Sequence, residues 1–89
     1  MDNILKPYFQ HTDMKTKVQE QLGYNIRKAR LKSGVSQEEL AAKVGIHRTY
    51  IGSVERGERN IGIMNIVKIA AALNIAVSEL VEGLSEVVG

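Results

Sequence analysis

The chain has 89 residues, enough for one domain, and a domain of that size buries only about 60–65% of its unfolded surface, so its core is thin. It has no cysteine, which excludes disulfides and thiolate metal centres, and its two histidines, His11 and His47, stand too far apart in sequence to form a zinc site; neither metal nor cofactor is expected. The net charge of +2 is unevenly spread: residues 1–68 hold all 12 Lys and Arg against 7 Asp and Glu, a net +5, whereas residues 69–89 hold three glutamates and no basic residue. That asymmetry suits a module that meets an anion with one end only.

No apolar run reaches the ~18–20 residues that a membrane-crossing helix needs. Met1–Gln10 lacks the continuous apolar stretch of a signal peptide. A cytoplasmic protein with no membrane partner is therefore expected. Paired carboxylates with a histidine on one helical face, a phosphate-cradling glycine loop and a metal cluster are all missing from the sequence, so an enzyme is not expected.

The elements read, in chain order, as a flexible arm and five helices. Residues 1–13 have no clear period, and Pro7 and the polar run Gln10-His11-Thr12-Asp13 mark a flexible arm, taken as residues 1–15. The first helix is placed at about Thr16 to Ser33, with Val18, Leu22 and Ile26 as its inward stripe and Ala29 and Leu31 near it. Ser33-Gly34 ends it. Ser36 and Glu39 form the S-x-x-E capping box that opens a second helix, whose apolar stripe is Leu40, Ala41 and Val44 and whose stop is Gly45. The third helix follows within about two residues, from near His47 to Arg56, and Gly57 closes it. A polar linker, 58–62, leads to a fourth helix from about Ile63 to Leu73, with Ile63, Ile66, Val67, Ala70 and Leu73 at spacings of three and four. Asn74 is read as its left-handed stop and Ser78 as the cap of a fifth helix, in which Gly83 is a weak point.

Two short helices joined by a tight glycine turn have the form of a DNA-reading helix-turn-helix, here roughly Gln37 to Arg56. Ala41 is small enough for a steep helix crossing, Gly45 tolerates positive φ, and Leu40, Val44, Ile46, Ile51 and Val54 supply inward anchors. At 100° per residue, Thr49, Gly52, Ser53 and Arg56 fall within about 140° of Arg48, opposite Ile51 and Val54. That face is basic, hydrogen-bonding and uncrowded, as a helix bound for the major groove requires.

Residues 24–82 resemble the phage-repressor-like (lambda repressor, Cro, Xre) helix-turn-helix domain, on the segments Ile26-Arg27-Lys28-Ala29-Arg30, Ser36-Gln37-Glu38-Glu39-Leu40-Ala41 and Thr49 to Gly57. His47 to Ile51, with Glu55 to Asn60, is similar in particular to controller proteins of restriction–modification systems. The resemblance implies an all-α, five-helix lambda-repressor-like domain that binds double-stranded DNA as a sequence-specific transcriptional regulator. It places Arg48, Thr49 and Ser53 at base-reading positions and Gln37, Tyr50, Arg56, Arg59 and Asn60 at the DNA backbone. It pairs Arg30 with Glu55 as an internal ion pair. Gly52 departs from the pattern, since many relatives carry a larger residue there, and the arm lies outside it.

Ile75, Val77, Val81, Leu84 and Val88 exceed what one small core can cover, and regulators of this kind bind near-palindromic sites, so a twofold homodimer with a C-terminal dimerisation helix is expected within residues 16–89. The alternative is an antitoxin or anti-repressor whose main partner is another protein. The sequence does not specify a toxin or RNA polymerase contact, nor whether the protein activates or represses.

Overall fold

The structure is a computed structural model that describes residues 11–87. Among these residues there are five helices and no strand: α1 (His11–Lys32), α2 (Gln37–Val44), α3 (Arg48–Glu55), α4 (Ile63–Leu73) and α5 (Val77–Leu80), followed by a single 3-10 turn, Ser85–Val87. The all-α, five-helix class expected from the sequence is the one found. The rest of the expected arm, residues 1–10, lies outside the described residues.

α1 begins at His11, earlier than the apolar period indicated. The segment His11-Thr12-Asp13-Met14-Lys15 carries no regular stripe, but it holds neither glycine nor proline to stop a helix propagating back through it. Further along, Leu22 and Ile26 point inward, while Leu31, expected near the stripe, is 55% exposed. Five residues beyond Ile26 corresponds to about 140° around the helix, which carries Leu31 off the buried face.

The core joins Leu22 and Ile26 of α1 to Leu40, Ala41 and Val44 of α2, Ile51 and Val54 of α3, Ile66, Ile69, Ala70 and Leu73 of α4, and Leu80 of α5. In α4 the buried stripe differs from the expected one. Ile69 is fully buried, whereas Ile63 and Val67 are 63% and 43% exposed. The stripe is centred between Ile66 and Leu73, which turns Val67 about 110° away from it. Val67 thus shares an outer face with Ile63 and Met64, and Met64 is 66% exposed.

α1 crosses α3 at Gly23. A Cβ built there would stand 2.3 Å from the carbonyl oxygen of Val54 and 2.8 Å from that of Glu55. No other residue permits this approach, so Gly23 sets how closely the long helix presses on the third helix.

The C-terminal segment is not one continuous helix. α5 spans four residues, and Gly83, in the left-handed region at φ 82°, breaks the chain before the final 3-10 turn. Ser78 does not cap α5: the N-cap position is Ala76, which makes no side-chain cap bond. What fixes this segment is Asn25 on α1, 5% exposed, whose Nδ2 donates to the carbonyl oxygens of Leu80 (2.9 Å) and Glu82 (2.8 Å). Gln21 Nε2 in turn donates to Asn25 Oδ1 at 2.9 Å. Ile75, Val77, Val81 and Leu84 are half-buried against the core of their own chain. Val88 lies outside the described residues.

Candidate nucleic-acid interface

α2 and α3 are positioned by local chemistry at each of their ends. Ser36 Oγ accepts from the Glu39 amide at 3.0 Å and Glu39 Oε1 accepts from the Ser36 amide at 2.8 Å, which closes the capping box. The backbone bond from Ser36 holds the Glu39 carboxyl below its ordinary range. Gly45 ends α2 in the left-handed conformation, φ 83° and ψ 31°, and its amide donates to Ala41 O. His47 then caps α3, with Nδ1 accepting from the Thr49 amide at 3.1 Å. A nitrogen that accepts there carries no proton, so Thr49 Oγ1, 2.8 Å from the same atom, donates to it. The Thr49 hydroxyl proton is thereby directed back to the helix start.

At its other end α3 is held by an ion pair beneath the surface. Arg30 Nε donates to Glu55 Oε2 at 2.6 Å and Arg30 Nη2 to Glu55 Oε1 at 3.0 Å, with side chains 8% and 2% exposed. The paired carboxylate lifts the Arg30 guanidinium still further above its ordinary range, so it is always charged. Arg30 Nη1 also donates to Val35 O at 2.9 Å, and Gln37 Nε2 donates to Glu55 Oε1 at 2.9 Å. The Glu55 carboxylate therefore ties α1 and α2 to the last residue of α3, and its partner Arg30 also holds the α1–α2 loop.

The outward face of α3 divides into two groups. In the first, Arg48, Thr49, Gly52, Arg56 and the Gln37 amide line a shallow open depression of about 200 Å³. Gly52 is its floor: a Cβ there would stand 3.2 Å from Arg56 Nη1 and 3.5 Å from Gln37 Oε1. Arg48 and Thr49 are exposed, and Arg48 makes no ion pair among the described residues. Arg56 Nε donates to Glu58 Oε2 at 3.0 Å in an exposed pair that lowers the Glu58 carboxyl and raises the Arg56 guanidinium.

The second group lies on the flank. Ser53 Oγ donates to Tyr50 O at 2.8 Å and accepts from Arg59 Nε at 3.2 Å. The Arg59 guanidinium lies 5.2 Å from the centre of the Tyr50 ring. Asn60 is exposed in the loop that follows. Of the residues assigned to DNA, Gln37, Arg48, Thr49 and Arg56 line the depression and Tyr50, Ser53 and Arg59 form the flank beside it, but Ser53 and Thr49 both have their hydroxyl protons engaged within the chain. Sequence reasoning placed Gln37 and Gly52 without seeing that the amide of the first leans over the second. It missed Asn25 altogether, because a lone asparagine within a helix carries no pattern.

An eight-residue scaffold helix, a left-handed glycine turn and an eight-residue second helix with a basic, uncrowded outer face define a helix-turn-helix DNA-binding domain. A helix-turn-helix family profile matches residues 26–80, and the chain belongs to that family, as a DNA-binding transcriptional regulator. It is 48% identical over 63 residues to control protein C.SmaI of Serratia marcescens, spanning 71% of this chain and 75% of that protein. It is 46% identical over 61 residues to control protein C.BamHI of Bacillus amyloliquefaciens, spanning 67% and 75%. Among solved structures, the restriction-modification controller protein C.AhdI from Aeromonas hydrophila matches with a TM-score of 0.68 at 45% identity, over 70% of this chain and 94% of that one.

Two glycine substitutions separate folding from binding. Gly23→Ala forces a methyl group against backbone carbonyls and should cost roughly 1–3 kcal/mol or more. Gly52→Ala meets only side-chain ends and gains helix propensity, so stability should rise by up to about 1 kcal/mol. Because Gly52→Ala also fills the floor of the depression, DNA affinity should fall as stability rises. Urea unfolding and fluorescence anisotropy on the two variants check both signs.

Proposed function

We propose that this protein acts as a homodimer on a near-palindromic operator, in the manner of a restriction–modification controller protein, within the cytoplasm where such DNA lies. The observation that carries the reading is the exposed pair Arg48 and Thr49 at the N-terminal end of α3, above the depression floored by Gly52. A helix N-terminus in the major groove brings its first residues to the base edges. Arg48 is assigned to bidentate recognition of guanine O6 and N7, and Thr49, whose hydroxyl proton is held by His47, to contact through its methyl group or oxygen. Gln37, Tyr50, Arg56, Arg59 and Asn60 are assigned to the sugar–phosphate backbone, where contacts position without specifying. The 45–48% identity to named control and controller proteins supports the regulatory role.

Binding-site selection from random-sequence duplex DNA tests the reading directly. The wild-type protein should enrich a site with twofold symmetry. Arg48→Ala should lose about 1–3 kcal/mol of discrimination at one base pair while nonspecific binding is retained. Full discrimination by that variant would remove Arg48 from base reading.

A second copy of this chain is the occupant proposed for the outer face of α4. Ile63, Met64 and Val67 are each more than two-fifths exposed on this face. They are joined around Asn74 by Ile75, which is only half-buried. A near-palindromic site needs two recognition helices roughly 34 Å apart, and a thin-cored 89-residue chain gains stability from covering such a face. The expected tail residues Val77, Val81 and Leu84 then flank the contact and do not form its centre. Sedimentation equilibrium at about ten micromolar should give a dimer, and Val67→Glu a folded monomer with weakened operator binding. A wild-type chain that sediments only as monomer would overturn the dimer.

A further inference from the structure

The flank of α3 holds a contact that changes what one of its residues does. Ser53 sits at a position from which a hydroxyl would be expected to reach a base. Its proton instead goes to Tyr50 O, one turn back, at 2.8 Å. This is the usual way a serine inside a helix satisfies itself, and it fixes the hydroxyl rotor. With the rotor fixed, the oxygen lone pairs face outward, and Arg59 Nε donates to them at 3.2 Å. The guanidinium, arriving from the loop after α3, lies over the Tyr50 ring at 5.2 Å. An arginine six residues further along the chain is thereby held against the recognition helix by two different forces, a hydrogen bond at Nε and attraction to an aromatic face. Neither uses its two terminal nitrogens, which have no hydrogen-bond partner among the described residues.

We propose that Ser53, together with the ring of Tyr50, positions Arg59, and that Arg59 rather than Ser53 meets DNA on this flank; the Tyr50 hydroxyl is not part of this clamp. The proposal rests on the reading of α3 as the DNA-contacting helix. Arg48 and Arg56 then supply cationic groups on one side of Thr49, and Arg59 supplies one on the other. A guanidinium fixed through Nε presents its remaining N–H groups in a plane, the geometry that suits a phosphate or a guanine edge. An unanchored arginine in a loop would have to give up its side-chain freedom on binding; the Ser53–Tyr50 clamp removes much of that freedom in the free protein.

A double-mutant cycle on the full chain tests this, with a fluorescent duplex recovered from the selection experiment and a scrambled duplex of the same composition. Ser53→Ala should weaken binding to the selected duplex about three- to tenfold, the effect of one hydrogen bond. Arg59→Ala should weaken it by at least as much and reduce the slope of log affinity against log salt by about one. The double variant should bind no more weakly than Arg59→Ala alone. Ser53→Thr, which keeps the back-bonding hydroxyl, should retain wild-type affinity. Alanine exceeds serine in helix propensity, so thermal melting of Ser53→Ala should not fall and unfolding will not mimic the loss.

A Ser53→Ala effect that persists in the Arg59→Ala background would show that Ser53 touches DNA itself and would overturn the proposal. A second readout does not depend on DNA. The Arg59 Nε–H resonance of the free protein should shift and exchange faster in Ser53→Ala, and an unchanged resonance would overturn the clamp. If that resonance responds as expected while wild-type protein prefers no duplex, the clamp stands and the DNA-reading assignment of α3 falls.

Discussion

A single buried carboxylate governs how this molecule presents its recognition helix. Glu55 is the last residue of α3, where the helix dipole is negative and an acidic side chain is unfavourable. It is also 2% exposed at its side chain, so water cannot offset that penalty. Among the described residues, the bidentate bonds from Arg30 and the amide of Gln37 make the position tenable. The interaction runs both ways: because the carboxylate must be met, α1 and α2 are drawn to the end of α3 in one geometry.

That matters because α3 has eight residues, below the ~12–15 at which an isolated helix is even marginal in water. Its existence and its direction come from its surroundings. His47 closes its first turn, Ile51 and Val54 bury one side, Gly23 lets α1 press on its backbone, and Glu55 fixes its end. The opposite side is left almost bare of structural duty, with Gly52 removing even a Cβ from the middle. Rigidity below and openness above are the two properties that a groove-reading helix needs, and here they belong to opposite faces of the same two turns. Where the chain does spend outward-facing groups on itself, as with the hydroxyls of Thr49 and Ser53, it orients neighbours and gives up hydrogen-bond donors.

Much of this was legible in the sequence, because the relevant signals are local. The capping box of Ser36 and Glu39, the glycine turn at Gly45 and the stripe of Leu40, Ala41 and Val44 each express a rule that acts within a few residues, and α2, α3 and α4 were placed to within a residue or two. The features that were not legible depend on partners far away in sequence. Asn25 reaches carbonyls 55 and 57 residues along the chain. The burial of Ile69 and the exposure of Val67 depend on which side of α4 meets α2, a choice that apolar residues around most of that helix leave open. At the end of the chain, Ile75, Val77, Val81, Leu84 and Val88 suggest one continuous C-terminal helix, whereas α5 stops at Leu80, the left-handed Gly83 follows, and Ile75, Val77, Val81 and Leu84 turn partly onto their own core. Ser53 shows the same limit at the site, since its place on the helix could be computed from period alone but the loop arginine that claims its oxygen could not.

The central claim is that the Glu55 carboxylate organises the recognition helix through Arg30. The free energy of unfolding of Arg30→Met, from urea denaturation at neutral pH, tests it most directly. Methionine preserves the bulk of the side chain and removes the charge, which leaves a buried carboxylate with Gln37 as its one remaining partner among the described residues. The predicted loss is roughly 3–5 kcal/mol. A loss below about 1 kcal/mol would contradict the claim, because it would mean that α3 is held in place without this ion pair.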